Sequence, residues 1–190
     1  DPRQFARGIK SKEYQALMND KGYPLVNRMI HSAFSPGSTF KLITHTAALQ
    51  GGFANTGSYF VCGGSYGPAN CFVRSGHGGI SFEDALAHSC DVVYYSLGDK
   101  MGIRHLRKYC ALYGLGSPTG IDLPAETGGL LPSPEWKQKE WGDRWYAGDT
   151  INMSIGQGFL LVTPLQMAVV TAAVANGGYV VTPTLAKQAI

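Results

Sequence analysis

Two residues have the types and the spacing for covalent chemistry: Ser38 and Lys41, in the run Phe34-Ser35-Pro36-Gly37-Ser38-Thr39-Phe40-Lys41. Pro36-Gly37 makes a rigid and then a permissive bend, and Phe40, Leu42 and Ile43 mark an apolar helical stretch running to about Leu49. Three residues apart on a helix, the serine and the lysine share a face, which brings the amine within hydrogen-bond reach of the hydroxyl. A serine hydroxyl is a weak nucleophile until a base takes its proton. A lysine is such a base only when burial, positive neighbours or the field of a helix N-terminus destabilise its ammonium form. Free N–H groups at the helix start also suit a developing oxyanion. Ser-x-x-Lys alone is a common pattern, and the plain alternative is a helix cap followed by a surface lysine. The apolar flanks argue for the chemical reading.

A second set, Cys62, Cys71, His77 and Cys90, has the spacing Cys-x8-Cys-x5-His-x12-Cys. Three thiols and an imidazole suit tetrahedral structural zinc (Zn2+), although the spacing is not one of the short paired patterns. Gly51 to Gly79 is rich in Gly, Ser and Asn and has little apolar area with which to order itself, so a covalent or metallic tie is expected there. A Cys62–Cys71 disulfide with His77 as a solvated loop residue, or free thiols, remain open readings. Cys110 reads as a buried residue on an apolar helix face. His31, His45, His88 and His105 lack a partnering pattern and read as structural or surface residues.

The elements that must position these groups are signalled by their ends. Gly51-Gly52 stops the helix that begins near Ser38. Ser81-Phe82-Glu83-Asp84 is an N-cap with an acidic third helical residue, starting a helix that runs into Ser89-Cys90-Asp91. Val92 to Leu97 is short and apolar, so period alone does not separate strand from helix. Gly102 to Tyr113 is an amphipathic helix stopped by Gly114. Ser133-Pro134 caps and opens another helix, and Trp136, Trp141, Trp145 and Tyr146 read as a lid packed on the core rather than a stacking platform. Thr163-Pro164-Leu165-Gln166 is a complete helix start. The helix after it is apolar nearly all round and is expected to be central. Asn176-Gly177-Gly178 ends it, and Tyr179-Val180-Val181 is expected to begin a strand.

The 190 residues, 44% hydrophobic and 15% charged, fit one globular unit or part of a larger one. The net charge of +3 carries no Lys/Arg runs, which argues against a nucleic-acid partner. Phe159 to Ala175 is interrupted by Thr163, Pro164 and Gln166, so it reads as a buried helix and not a membrane span. No signal peptide or anchor is recognised in the chain.

The run from Arg28 to Lys41 resembles the nucleophile region of the class B penicillin-binding proteins of the elongation type, the peptidoglycan DD-transpeptidases of rod-shaped growth. The Pro-Ser-Pro-Glu-Trp segment, the run Asn152 to Gly158 and the Thr-Pro-Leu-Gln helix follow in that family's order, so the resemblance covers nearly the whole chain. It implies an α/β (α+β) serine transpeptidase/β-lactamase-like fold, here mostly the helical part with an incomplete antiparallel sheet. It also favours helix for Val92 to Leu97. Ser89-Cys90-Asp91 stands where the family has Ser-x-Asn. Ser89 would then relay a proton between Lys41 and the leaving amine, with a polar residue closing a helix as the alternative. Asp91 would be the substrate-binding position, but an ionised carboxylate accepts and does not donate, so pairing with Lys41 or another cation is the other reading. Some relatives are thought to carry a metal site here, and Cys90 would tie such a site to Ser89 and Asp91.

The family's third motif, Lys-Thr-Gly on an edge strand, does not occur in these residues. The chain is therefore expected to be a partial transpeptidase domain, 1–190, ending before that strand and nearly inactive alone. The resemblance implies stem peptides of peptidoglycan and β-lactam antibiotics as ligands, and the membrane glycosyltransferase and scaffold proteins of the elongation complex as partners. It places the protein on the periplasmic side of the inner membrane, anchored by a segment upstream of Asp1. The rival functions are a serine β-lactamase or penicillin-sensing domain, and a non-enzymatic, zinc-ordered scaffold segment.

Overall fold

The computed structural model describes residues 3–186. Short helices α1 (Arg3–Ala6), α2 (Ser11–Met18) and α3 (Arg28–His31) lead to a 3-10 turn, Gly37–Phe40, and helix α4, Lys41–Gln50. Four short strands follow: β1 (Tyr59–Cys62), β2 (Ser65–Tyr66), β3 (Ala69–Asn70) and β4 (Gly78–Ser81). Helices α5 (Phe82–Ala87), α6 (Asp91–Leu112), α7 (Pro134–Trp141), α8 (Ala147–Ser154) and α9 (Pro164–Ala175) complete the described part. No helix among the described residues is long and apolar enough to cross a membrane.

The centre is the crossing of α4 and α6. Phe40, Ile43, Ala47 and Ala48 meet Val92, Val93, Leu97, Met101 and Leu106, with Met153, Ile155 and Leu160 closing the far side. Val92 to Leu97 is helical, as the resemblance favoured, and continues into the predicted 102–113 helix through a break at Gly102, where φ is +70°. A side chain there would strain the backbone, so the break falls at the residue that tolerates it. The predicted caps form as read: Ser81 accepts from the Asp84 N–H, Ser133 from Trp136, and Thr163 and Gln166 bond each other reciprocally.

Two expectations change, and one segment gains detail. The Gly-rich stretch is built, as two antiparallel ribbons: β1 pairs with β4, with Cys62 opposite Gly78, and β2 pairs with β3. Tyr179 to Val181 forms no strand among the described residues, because no neighbouring strand offers it a ladder and all three side chains are exposed. Helix α9 is not central: Gln166, Val169, Val170 and Ala173 are buried, while Val174 is 47% exposed on the other side. Its composition allows burial all round, but these residues cover one face only. In the aromatic segment, Trp136 and Trp141 pack against Phe159 at 5.4 and 5.3 Å between centroids.

Candidate active site

Ser38 lies in the 3-10 turn, exposed, and Lys41 is the first residue of α4, only 1% exposed. The tight turn matters because it lifts the serine to the surface at a point where N–H groups have no partner within the helix. The turn is backed by Gly156. The Gly37 N–H donates to the Gly156 carbonyl at 2.9 Å, and a Cβ on Gly156, whose φ is +73°, would run into the Gly37 carbonyl and the Phe40 side chain. The run Asn152 to Gly158 follows the family's order, but nothing in its local sequence signals this role for Gly156.

Ser89 sits at the corner between α5 and α6 with φ +52°. A left-handed serine costs about 1–2 kcal/mol, and strain of this kind persists only where the surroundings fix it. Here the Ser89 N–H donates to the Leu86 carbonyl, and Lys41 Nζ donates to the Ser89 carbonyl at 2.8 Å. The same amine donates to Ser89 Oγ at 2.9 Å and to Asp91 Oδ1 at 2.6 Å. The Ser89 hydroxyl donates in turn to Ser38 Oγ at 2.9 Å. Ser38 and Lys41 are therefore joined through Ser89, and no direct hydrogen bond links them among the described residues. This corrects the expectation of direct contact: one helical turn brings the residues to the same face, but the amine turns inward to a buried carboxylate.

Asp91 has both oxygens engaged, Oδ1 by Lys41 and Oδ2 by the Phe72 N–H at 3.2 Å. The geometry favours the pairing reading over direct contact with substrate. Asp91 also ties the site to the Cys/His loop, since Phe72 follows Cys71.

Cys62, Cys71, His77 and Cys90 come together, with their ligand atoms all within 4.8 Å of one another. A tetrahedral ion with bonds to sulfur of about 2.3 Å sets its ligands roughly 3.8 Å apart, so the cluster fits a Cys3His zinc site. All four cysteines are free thiols. Burial pushes the Cys62 thiol up, but hydrogen bonds from His77, Gly64 and Cys90 outweigh it and bring it down to about 7. Burial holds the Cys90 thiol up at about 12. Cys110 is buried, with its thiol raised for the same reason. His105 bonds the Ala47 carbonyl, His45 bonds Tyr94 and His31 lies beside the Pro124 carbonyl.

An exposed serine, a buried lysine three residues on and a second serine bridging them meet where three helices converge, the arrangement of a Ser-x-x-Lys motif. The penicillin binding protein transpeptidase domain matches residues 5–190. The chain belongs to that family. It is 36% identical to the peptidoglycan D,D-transpeptidase MrdA of Acinetobacter baumannii over 96% of this chain and 28% of that protein. It is 37% identical to MrdA of Escherichia coli K12 over 97% of this chain and 30% of that protein. It superposes on the crystal structure of Pseudomonas aeruginosa PBP2 in complex with WCK 5153 at TM-score 0.87 and 36% identity, covering 95% of this chain and 42% of that one. The Helicobacter pylori PBP2–MreC complex matches at TM-score 0.87 and 32% identity, over 95% of this chain and 35% of that one. The chain thus spans under a third of the length of the curated relatives it matches.

Proposed function

We propose that this chain carries the acylating half of a peptidoglycan DD-transpeptidase that cross-links stem peptides during lateral wall elongation. The observation that carries the reading is the unbroken line Lys41 Nζ, Ser89 Oγ, Ser38 Oγ, with 2.9 Å at each step. In the resting geometry the ammonium spends its three protons on the Ser89 carbonyl, Ser89 Oγ and Asp91. For attack the amine is neutral. Ser38 passes its proton to Ser89 Oγ, Ser89 passes its own to Nζ, and Ser38 Oγ bonds the penultimate D-Ala carbonyl carbon. Collapse of the tetrahedral adduct breaks the peptide bond, and the leaving D-Ala amine takes a proton back through Ser89. An amine of a neighbouring stem peptide then displaces Ser38 from the ester. A β-lactam acylates the same serine by opening its ring.

The relatives' names support this reading over a β-lactamase, a penicillin sensor or a purely structural segment, since several are named peptidoglycan D,D-transpeptidase. We also propose that the protein works outside the cytoplasm, on the periplasmic side of an inner membrane, because its proposed substrate is peptidoglycan. A scaffold partner and a glycan polymerase are proposed because one similar PBP2 is complexed with MreC and another similar structure is of a peptidoglycan synthase complex. Zinc is proposed as a structural ion held by Cys62, Cys71, His77 and Cys90. It would supply a rigid tetrahedral tie that orders the β1–β4 ribbon and anchors Cys90 between Ser89 and Asp91.

The test is labelling of the complete gene product containing this chain with a fluorescent penicillin. Wild type is expected to carry the label covalently and Ser38→Ala to carry none. Labelling that survives Ser38→Ala rejects the assignment. Rapid release of hydrolysed drug would move the reading to a β-lactamase.

A further inference from the structure

Beneath the catalytic residues the same two helices make a second contact that the proton relay does not use. His45 lies one turn beyond Lys41 on α4, and Tyr94 one turn beyond Asp91 on α6, so each pair shares a helix face. His45 Nδ1 and the Tyr94 hydroxyl are 3.0 Å apart. Tyr94 is fully buried, and the Lys41 amine lies over its ring, 5.4 Å from the centroid. The His45 ring stacks on Phe82, with centroids 3.7 Å apart and planes within 8°. Phe82 opens α5, the short helix whose far end delivers Ser89. The His45–Tyr94 pair therefore joins α4 and α6, which carry Lys41 and Asp91, and packs on α5, which leads to Ser89.

We propose that His45 and Tyr94 are positioning residues for acyl transfer, their hydrogen bond fixing the phenol ring as the floor that holds the Lys41 amine against Ser89. The need arises at one stage of the reaction. As an ammonium, Lys41 is held by three hydrogen bonds and by the Asp91 charge. The working base is the neutral amine, which gives up a donated proton and the ion pair, and its four-carbon stem is flexible. A buried ring beneath it restrains the amine by shape whatever its charge. Burial lowers the His45 pKa and raises that of Tyr94. Both groups stay neutral, so their bond does not compete for Asp91.

This inference rests on the acyl-serine reading, and the experiment separates the two. In the complete gene product, rapid-quench labelling with a fluorescent penicillin gives the acylation constant k2 and the dissociation constant of the preceding complex. The variants are Tyr94→Phe, which keeps the ring and removes the hydroxyl, His45→Leu, the double variant, and His45→Asn, whose amide oxygen can accept the same proton. Each disrupting variant is expected to lower k2 about tenfold through a misplaced amine, with the dissociation constant little changed. The double variant is expected to be no slower than either single one, because both remove one bond. His45→Asn is expected to recover most of the rate.

An unchanged k2, a loss confined to the dissociation constant, or additive losses would overturn the proposal. If circular dichroism shows Tyr94→Phe unfolded, His45→Leu, at a half-buried position, decides alone. Wild type that takes no label at Ser38 would reject the acyl-serine reading itself, a different outcome from variants that match a labelled wild type.

Discussion

Lys41 and Lys137 are both buried lysines with a carboxylate close by and an aromatic ring beneath the amine, and they differ in what else the amine meets. Lys41 pairs with Asp91 at 2.6 Å over Tyr94. Lys137 pairs with Asp149 at 2.8 Å and Asp143 at 3.4 Å, over Tyr146 at 4.6 Å. Lys41 spends its other hydrogen bonds on Ser89, whose hydroxyl continues to an exposed serine. Lys137 meets a second carboxylate and, among the described residues, donates to no hydroxyl. Its hydrogen bond and ion pair with Asp149, reinforced by Asp143, outweigh burial and raise its pKa. Burial and ion pairing are thus shared by the lysine proposed to activate Ser38 and by one with no such route. The hydroxyl chain to the surface makes the difference.

Four experiments bear on that comparison. Lys41→Met should reduce Ser38 acylation by about 10³-fold, the general-base and nucleophile-activation contribution, while Lys137→Met lowers the melting temperature and leaves the rate nearly unchanged. Equal loss in both would erase the distinction. Chelation, with metal analysis before and after, should release zinc and lower Tm by roughly 10 °C, as loss of a few kcal/mol does in a protein this size. Asp91→Ala leaves a buried ammonium unpaired and the Phe72 N–H without its acceptor, at a cost of about 3 kcal/mol in guanidinium unfolding.

The smallest effect belongs to Glu126, a carboxylate that meets a hydroxyl and, among the described residues, no lysine. It accepts from Thr119 Oγ1 at 2.6 Å, from the Thr119 N–H and from the Gly120 N–H. Burial raises its pKa, but those hydrogen bonds outweigh it and leave the carboxyl below its ordinary value of 4.5. A lowered folded pKa gives stability that is full above the unfolded value and is lost as pH falls through the folded one. Glu126→Gln should cost about 1 kcal/mol at pH 7. That difference should shrink as pH drops below 4.5. No change in acylation is expected.

The groups that announce themselves by local spacing were legible. Ser38, Lys41 and Ser89, the caps at Ser81, Ser133 and Thr163, and the Cys/His set all follow from residue types a few positions apart or from family order. What needed the third dimension was not. The direct Ser38–Lys41 bond was a fair reading of helix geometry, but the position of the amine is decided by Asp91, 50 residues away. His45 looked partnerless because Tyr94 is 49 residues distant. The role of Gly156 depends on a backbone approach that its own neighbours do not signal. Helix α9 and Tyr179 to Val181 were misread for one reason: composition reports what a segment can bury, not which neighbours are there to cover it.

The proposed relay through Ser89 is tested by the acylation constant of Ser89→Ala in the complete gene product. The expected result is a fall in k2 of about 10²- to 10⁴-fold, the range for a lost proton-transfer group, with any remaining label still on Ser38. A Ser89→Ala enzyme that acylates at the wild-type rate would show that Lys41 reaches Ser38 without Ser89, and would contradict the proposed relay.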